Sequence, residues 1–171
     1  MAIDSTKLDF RGTPLTSEDF KKGKVVTSTG DPHAEYAWDA GSAIGTYLEG
    51  LRQGKLLGSR CRRCSRKMIP PRDFCELCYR PVHETVTLKD TGIVNTFSLC
   101  YVTWDMQKLK TPQIPAVIEI DGAGKGMGIM HLLGEVDPTK VKIGMKVRAV
   151  WKPESERTGS ILDIRHFKPA G

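Results

Sequence analysis

Residues 61–78, CRRCSRKMIPPRDFCELC, hold four of the chain's five cysteines as two Cys-x-x-Cys pairs. No other stretch constrains the fold as strongly. A Cys-x-x-Cys turn aims two thiolates at one ion, and two such turns complete the tetrahedral sulfur shell that Zn²⁺ favours. Cys61 and Cys64 form one knuckle, and Cys75 and Cys78 the other. The residues between the pairs suffice for a short strand, a turn and a return strand. Four thiolates close the shell and leave no position for water, so the expected Zn²⁺ is structural and not catalytic. Spacing alone leaves two alternatives open. Iron fits the same four-sulfur shell, and two disulfides would satisfy the count in an oxidising compartment. The N-terminus, MAIDSTKLDFRG, has neither a charged n-region nor an apolar h-region, which argues against secretion and predicts a cytoplasmic protein.

The chain has 171 residues and a net charge of +6, and its charge is unevenly spread. Residues 52–80 contain nine Lys and Arg against Asp73 and Glu76, so the remainder is close to neutral. A four-thiolate zinc centre carries a formal charge of about −2, which nearby cations offset. The cluster therefore reads in two ways: as compensation of the thiolates, or as an anion-binding face for nucleic acid or a phosphorylated cofactor.

Residues 1–37 form an extended arm in this reading. Apolar anchors such as Leu8, Phe10, Leu15, Phe20 and Val26 are scattered without period among Gly, Pro, Ser and Thr. Such a segment cannot close its own core and suits docking along another surface. Thr16–Asp19 predicts a single helical turn. In residues 38–57, Ile44, Leu48 and Leu51 recur at i, i+4 and i+7, which predicts an amphipathic helix starting at Asp39 or Ser42 and ending at Gly54. Residues 58–84 are read as the zinc ribbon.

Residues 85–171 change character and carry many short β-like runs. HETVTLKDTGIVNTFSLCYVTW reads as one bent strand or two, broken at Gly92. PAVIEIDG alternates, with Ala116, Ile118 and Ile120 on one face, and pairs with GMGIMHLLGEV across a Gly-rich turn. A strand with Val147, Ala149 and Trp151 in phase follows, and a last one with Leu162 and Ile164 in phase. The fold class is mainly β: an N-terminal arm and helix, a rubredoxin-like zinc ribbon, then a five-stranded OB-fold barrel.

The segments GKLLGSRCRRC, PPRDFCELC, DTGIVNTFS, PAVIEIDG and VKIGMKVRAVW, in that order, resemble the acyl-CoA-associated family of zinc-ribbon plus OB-fold proteins first catalogued as a domain of unknown function. The resemblance covers residues 40–168. It implies a non-catalytic partner of a thiolase or related acyl-CoA enzyme in a hetero-oligomer, with CoA or acyl-CoA at the interface. Members also pair with hydratase-like and steroid aldolase subunits. Long N-terminal extensions occur in members that pair with degradative thiolases, the small subunit of benzoylsuccinyl-CoA thiolase among them.

The remaining residues supply no recognisable catalyst. Thiolase chemistry needs a histidine-activated cysteine and an oxyanion hole. Cys100 sits in an apolar strand pattern without adjacent His or Lys and reads as a buried inert thiol. His33, His83, His131 and His166 stand in no paired motif, and DGAGKGMG lacks the strand-to-helix context of a phosphate loop. The expected contacts to CoA phosphate are Arg60, Arg62, Arg63 and Arg66, because guanidinium pairs bidentately with phosphate. The alternative function is single-stranded nucleic-acid binding, which OB barrels also perform. Acids at Glu119, Asp121 and Glu135, and an aromatic content of 7%, argue against a stacking platform.

Overall fold

A computed structural model describes residues 15–28, 30 and 33–170 of the chain. The molecule divides into two units, Met1–Trp38 and Asp39–Gly171.

Among its described residues the first unit contains one short helix, α1 (Ser17–Lys21). The Asp19 carboxylate accepts from the backbone N–H of Thr16 at 2.9 Å and from its hydroxyl at 2.6 Å, which satisfies the first turn. This is the single turn that Thr16–Asp19 predicts. Leu15, Phe20, Val26, Tyr36 and Trp38 are exposed. The anchors Leu8 and Phe10 lie outside the described residues.

The second unit opens with α2 (Gly41–Arg52), which starts between the two expected positions, Asp39 and Ser42, and ends two residues before Gly54. Its apolar stripe buries Tyr47 and Leu51. Gly50 is needed on that face, since a Cβ there would lie 2.6 Å from Leu57 Cγ. The helix stops in a Schellman turn: Gly54 takes φ +71°, its N–H donates to Leu51 O, and the Lys55 N–H donates to Gly50 O.

The chain then enters the ribbon. β1 (Leu56–Arg60) pairs antiparallel with β2 (Lys67–Met68) on one side and β5 (Glu84–Leu88) on the other. β3 (Phe74–Cys75) and β4 (Arg80–Pro81) form a separate two-stranded ladder.

The barrel is built from β6 (Thr91–Phe97), β8 (Lys108–Ile120), β9 (Gly128–Leu133), β10 (Lys146–Trp151) and β11 (Ile164–Pro169). Around the wall the order is β6-β10-β11-β9-β8, and β8 pairs back onto β6 to close it. β11 runs parallel to β9, as the crossing of a five-stranded OB fold requires. The alternation in PAVIEIDG supplies one wall of the core, with Ala116, Ile118 and Ile120 all buried. Val94, Val147 and Phe167 are fully enclosed opposite them. β7 (Cys100–Val102) pairs only with the first half of β8, so these two strands extend beyond the barrel as a hairpin.

Two local expectations differ from the structure. Residues 84–102 are three strands, not one or two. β5 belongs to the ribbon sheet, and the chain turns at Lys89–Asp90, where the Ala149 N–H donates to Asp90 O at 2.8 Å. Gly92 is then required inside β6, because a Cβ would meet Glu119 O at 2.3 Å. Leu162 is not in phase with Ile164. It is exposed, and the strand begins only after a 3-10 turn at Ile161–Asp163. Asp163 holds that turn. Its buried carboxylate accepts from the backbone N–H groups of Thr158, Gly159 and Ser160 at 2.7 to 3.2 Å. Burial pushes this carboxyl upward, but the three N–H donors outweigh it and hold its pKa below the ordinary value.

Candidate metal centre and its surroundings

The four cysteines come together although 16 residues of chain lie between the first and the last. Their sulfur atoms all lie within 4.8 Å of one another. The Cys64 and Cys75 sulfurs are 3.7 Å apart. A tetrahedron with metal–sulfur bonds of about 2.3 Å has an edge of about 3.8 Å, so the spacing fits one shared ion. A disulfide needs sulfurs about 2.05 Å apart. All five cysteines are free.

Short backbone elements produce this geometry. The Cys61 N–H donates to Arg66 O and the Ser65 N–H to Cys61 O, which closes the first knuckle with Ser65 at φ +59°. The second repeats the pattern, with the Tyr79 N–H donating to Cys75 O and Tyr79 at φ +51°. The first sulfur of each knuckle is buried, while Cys64 is exposed and Cys78 half-buried. Backbone N–H groups of Cys64 and Arg63 favour the thiolate of Cys61 and bring its pKa to about 7. Cys78 is pushed up to about 12 by sulfur contacts with Cys64, then by burial and by its other cysteine neighbours. A dication at the centre reverses the penalty on Cys78, since it turns crowded thiolates into ligands. The donor set therefore fits zinc in a closed, structural site.

The arginines around the knuckles are largely occupied. Arg60 and Arg62 lie 3.2 and 3.6 Å from the Glu84 carboxylate, and Arg66 and Arg72 lie 3.0 and 3.4 Å from that of Glu76. Arg63 is exposed and forms no ion pair among the described residues. Glu84 stands on β5, beyond the basic stretch, and reaches the cluster because β5 pairs with β1 in the register Arg60↔Glu84. The excess charge of residues 52–80 is thus partly neutralised by an acid the stretch itself does not contain.

Cys100 and the histidines are dispersed. Cys100 is half-buried on β7, opposite Gln113. His131 Nδ1 accepts from the Leu132 N–H at 2.9 Å, so its Nε2 donates to Ile161 O at 3.2 Å. His166 lies 3.0 Å from Glu135, which also pairs with Lys168. His83 lines a 170 Å³ cleft between α2 and the ribbon, where the Ser42 hydroxyl donates to Asp73 at 2.6 Å. No helix among the described residues is long and apolar enough to cross a membrane.

The fold and the four-sulfur centre define a zinc-ribbon protein carrying an OB-fold barrel. Residues 48–84 match the rubredoxin-like zinc ribbon domain of ChsH2, and residues 85–152 its C-terminal OB-fold domain. A DUF35 domain-containing scaffold protein of Methanocaldococcus jannaschii is 32% identical over 117 residues, spanning 67% of this chain and 81% of that one. The chain belongs to the DUF35 family. Among solved structures, a DUF35 protein of unknown function from Sulfolobus solfataricus aligns with a TM-score of 0.61 at 25% identity. That alignment covers 76% of this chain and 87% of the other. The Ltp2-ChsH2(DUF35) aldolase has the same fold, with a TM-score of 0.57 at 21% identity over 80% of this chain and 100% of that one.

Proposed function

We propose that the chain is a non-catalytic, zinc-binding subunit of an acyl-CoA thiolase-type complex, one that completes or stabilises the acyl-CoA site of a catalytic partner in degradative metabolism. The observation that carries this reading is the β7–β8 hairpin. Tyr101, Val102, Trp104 and Met106 are all exposed there, Trp104 at 96%. Met130, Leu132 and Leu162 line an apolar groove with Pro115 on the barrel wall beside it. Large apolar side chains grouped on a projecting hairpin mark a docking element, because water disfavours them unless a partner covers them. The name of the M. jannaschii relative, a scaffold protein, and the assembly of ChsH2 with an aldolase support the same role. In this role Cys61, Cys64, Cys75 and Cys78 hold a structural Zn²⁺ that keeps the ribbon folded, and no residue of this chain performs chemistry. Residues 1–37 serve as a second docking arm. Arg60, Arg62, Arg63 and Arg66 compensate the charge of the zinc thiolates; Arg60 and Arg62 are shared with Glu84 and Arg66 with Glu76, and Arg63 is the least engaged by carboxylates.

The test is co-purification of the untagged chain from its native cells, followed by assay of what accompanies it. A thiolase-type enzyme that thiolyses acyl-CoA only in the presence of this chain is the expected outcome. Turnover of acyl-CoA by the isolated chain, abolished by Cys100→Ser, would overturn the reading.

A further inference from the structure

The largest cleft described in the second unit, about 550 Å³, opens where the ribbon sheet meets the barrel. Its lining includes Lys55, Lys89 and Arg148 against one carboxylate, Asp90. Three features make this more than a solvated basic patch. First, Lys55 and Lys89 flank the last pair of the β1–β5 ladder, Leu56↔Leu88, so both cations leave the sheet at the same end. Two like charges at one sheet end, beside Arg148, raise the local positive potential and favour an anion there. Second, none of the three cations forms an ion pair with an acid among the described residues, whereas Arg60, Arg62, Arg66 and Arg72 at the knuckles all do. Third, the walls are fixed. The Ala149 N–H bonds Asp90 O at the strand corner, and Arg148 stands opposite Thr91. A fourth guanidinium, that of Arg157, covers Gly54 at the cleft edge, held by its Nε donating to Lys152 O at 2.9 Å and by the Trp151 ring.

We infer that this cleft, not the knuckle arginines, binds the phosphate groups of a small nucleotide-type ligand. Its volume suits a group of that size, and two ammonium groups and a guanidinium against a single carboxylate suit a phosphate dianion. On the proposed function the ligand is the phosphorylated end of coenzyme A, and this part of the inference rests on that reading.

Calorimetric titration of the zinc-loaded full chain tests it with inorganic pyrophosphate, CoA and pantetheine. Pyrophosphate and CoA bind and pantetheine, which lacks phosphate, does not. The triple change Lys55→Gln, Lys89→Gln, Arg148→Gln weakens CoA at least tenfold at unchanged zinc content, while Arg62→Ala with Arg63→Ala leaves it within twofold. Asp90→Asn acts in the opposite sense and tightens CoA severalfold, since it removes the one repelling charge. Unchanged CoA affinity in the triple variant overturns the inference, as does a wild type that binds neither probe. Tighter binding of a short single-stranded oligonucleotide through the same three residues also overturns it. Because pyrophosphate needs no partner enzyme, a chain that binds pyrophosphate but brings down no thiolase-type enzyme would sink the proposed function and keep the cleft; a chain that brings one down but binds no pyrophosphate would sink the cleft alone.

Discussion

The ribbon and the barrel reach a folded state by different means. Between Cys61 and Pro81 the ribbon offers only the two-residue strands β2, β3 and β4, and its buried apolar content is little more than Met68 and Ile69. So few apolar groups cannot offset the entropy of ordering the segment, and a metal must supply the difference. The barrel has strands of six to thirteen residues closed on themselves, with Val94, Ile118, Val147, Ile164 and Phe167 at 1% exposure or less. It needs no ion. The same chain therefore carries a metal-dependent module beside a metal-independent one, and each should fail under a different insult.

Removal of zinc gives the largest effect. Apparent binding free energies of structural zinc run at about 10–16 kcal/mol, and in a module this small they are folding energy. A strong chelator, or Cys75→Ser, is expected to open residues 61–81 while amides of β8 and β9 keep their protection. Hydrogen exchange with parallel zinc analysis reads both regions. Ribbon amides that stay protected once zinc is gone would contradict the division.

The reciprocal change is Phe167→Ala. Phe167 is fully buried between β10 and β9, and its ring meets His131 edge-on at 5.9 Å between centroids. Truncation leaves a cavity and should cost about 3–5 kcal/mol, a fall in melting temperature on the order of 10 °C. Zinc content below the transition should remain one per chain. Loss of zinc from the folded variant would mean that the barrel core supports the knuckles.

How much of this was legible in the sequence differs between the same two regions. The knuckles could be read because ligand chemistry is local: Cys-x-x-Cys repeated after a short loop admits few other uses. β8 could be read because Ala116, Ile118 and Ile120 alternate with polar residues on one continuous strand. Long-range pairing could not. The residues of β5 alternate like those of a barrel strand, and only their register with β1 assigns them to the ribbon. That pairing brings Glu84 onto Arg60 and Arg62, so a charge count over consecutive residues overstates the free charge at the knuckles. The same distance hid the cleft, whose cations at 55, 89 and 148 are far apart in the chain. Asp163 was missed because LDI reads as an apolar strand with one polar break. A Ser160-x-x-Asp163 spacing ahead of it was the available signal.

Asp163→Ala should be the next effect in size, about 2 kcal/mol, since it strands buried N–H donors at the entry to β11. Its pH dependence has a definite sign. The folded-state pKa lies below the ordinary value of about 3.9, so the carboxylate's contribution is complete above that value and falls away as pH drops through the folded pKa. Wild type and variant should therefore converge in stability in acid, below about pH 3.9. Denaturant midpoints measured at neutral and acidic pH would show this. A gap that stays constant into strong acid would assign the loss to packing alone.

The smallest effect on folding should come from Trp104→Ala, and it bears most directly on partner binding. Trp104 sits in the turn between β7 and β8, where the Gln107 N–H donates to the Thr103 hydroxyl at 3.0 Å and the Thr103 N–H to Gln107 O at 2.9 Å. Backbone and threonine thus define the turn without the indole. At 96% exposure the indole buries almost nothing against its own chain, so its removal should change stability by less than about 0.5 kcal/mol. An aromatic residue that contributes so little to folding fits an anchor in a partner's pocket, where truncation commonly costs 2 kcal/mol or more. The expected result is a melting curve and zinc content like wild type, with capture of the catalytic partner weakened by at least tenfold, or about 1.4 kcal/mol. Trp104→Phe should restore most of the capture, because it keeps a ring at the tip. Equal loss in both variants would place the contact on the indole N–H, and full capture by Trp104→Ala would remove the hairpin from the interface.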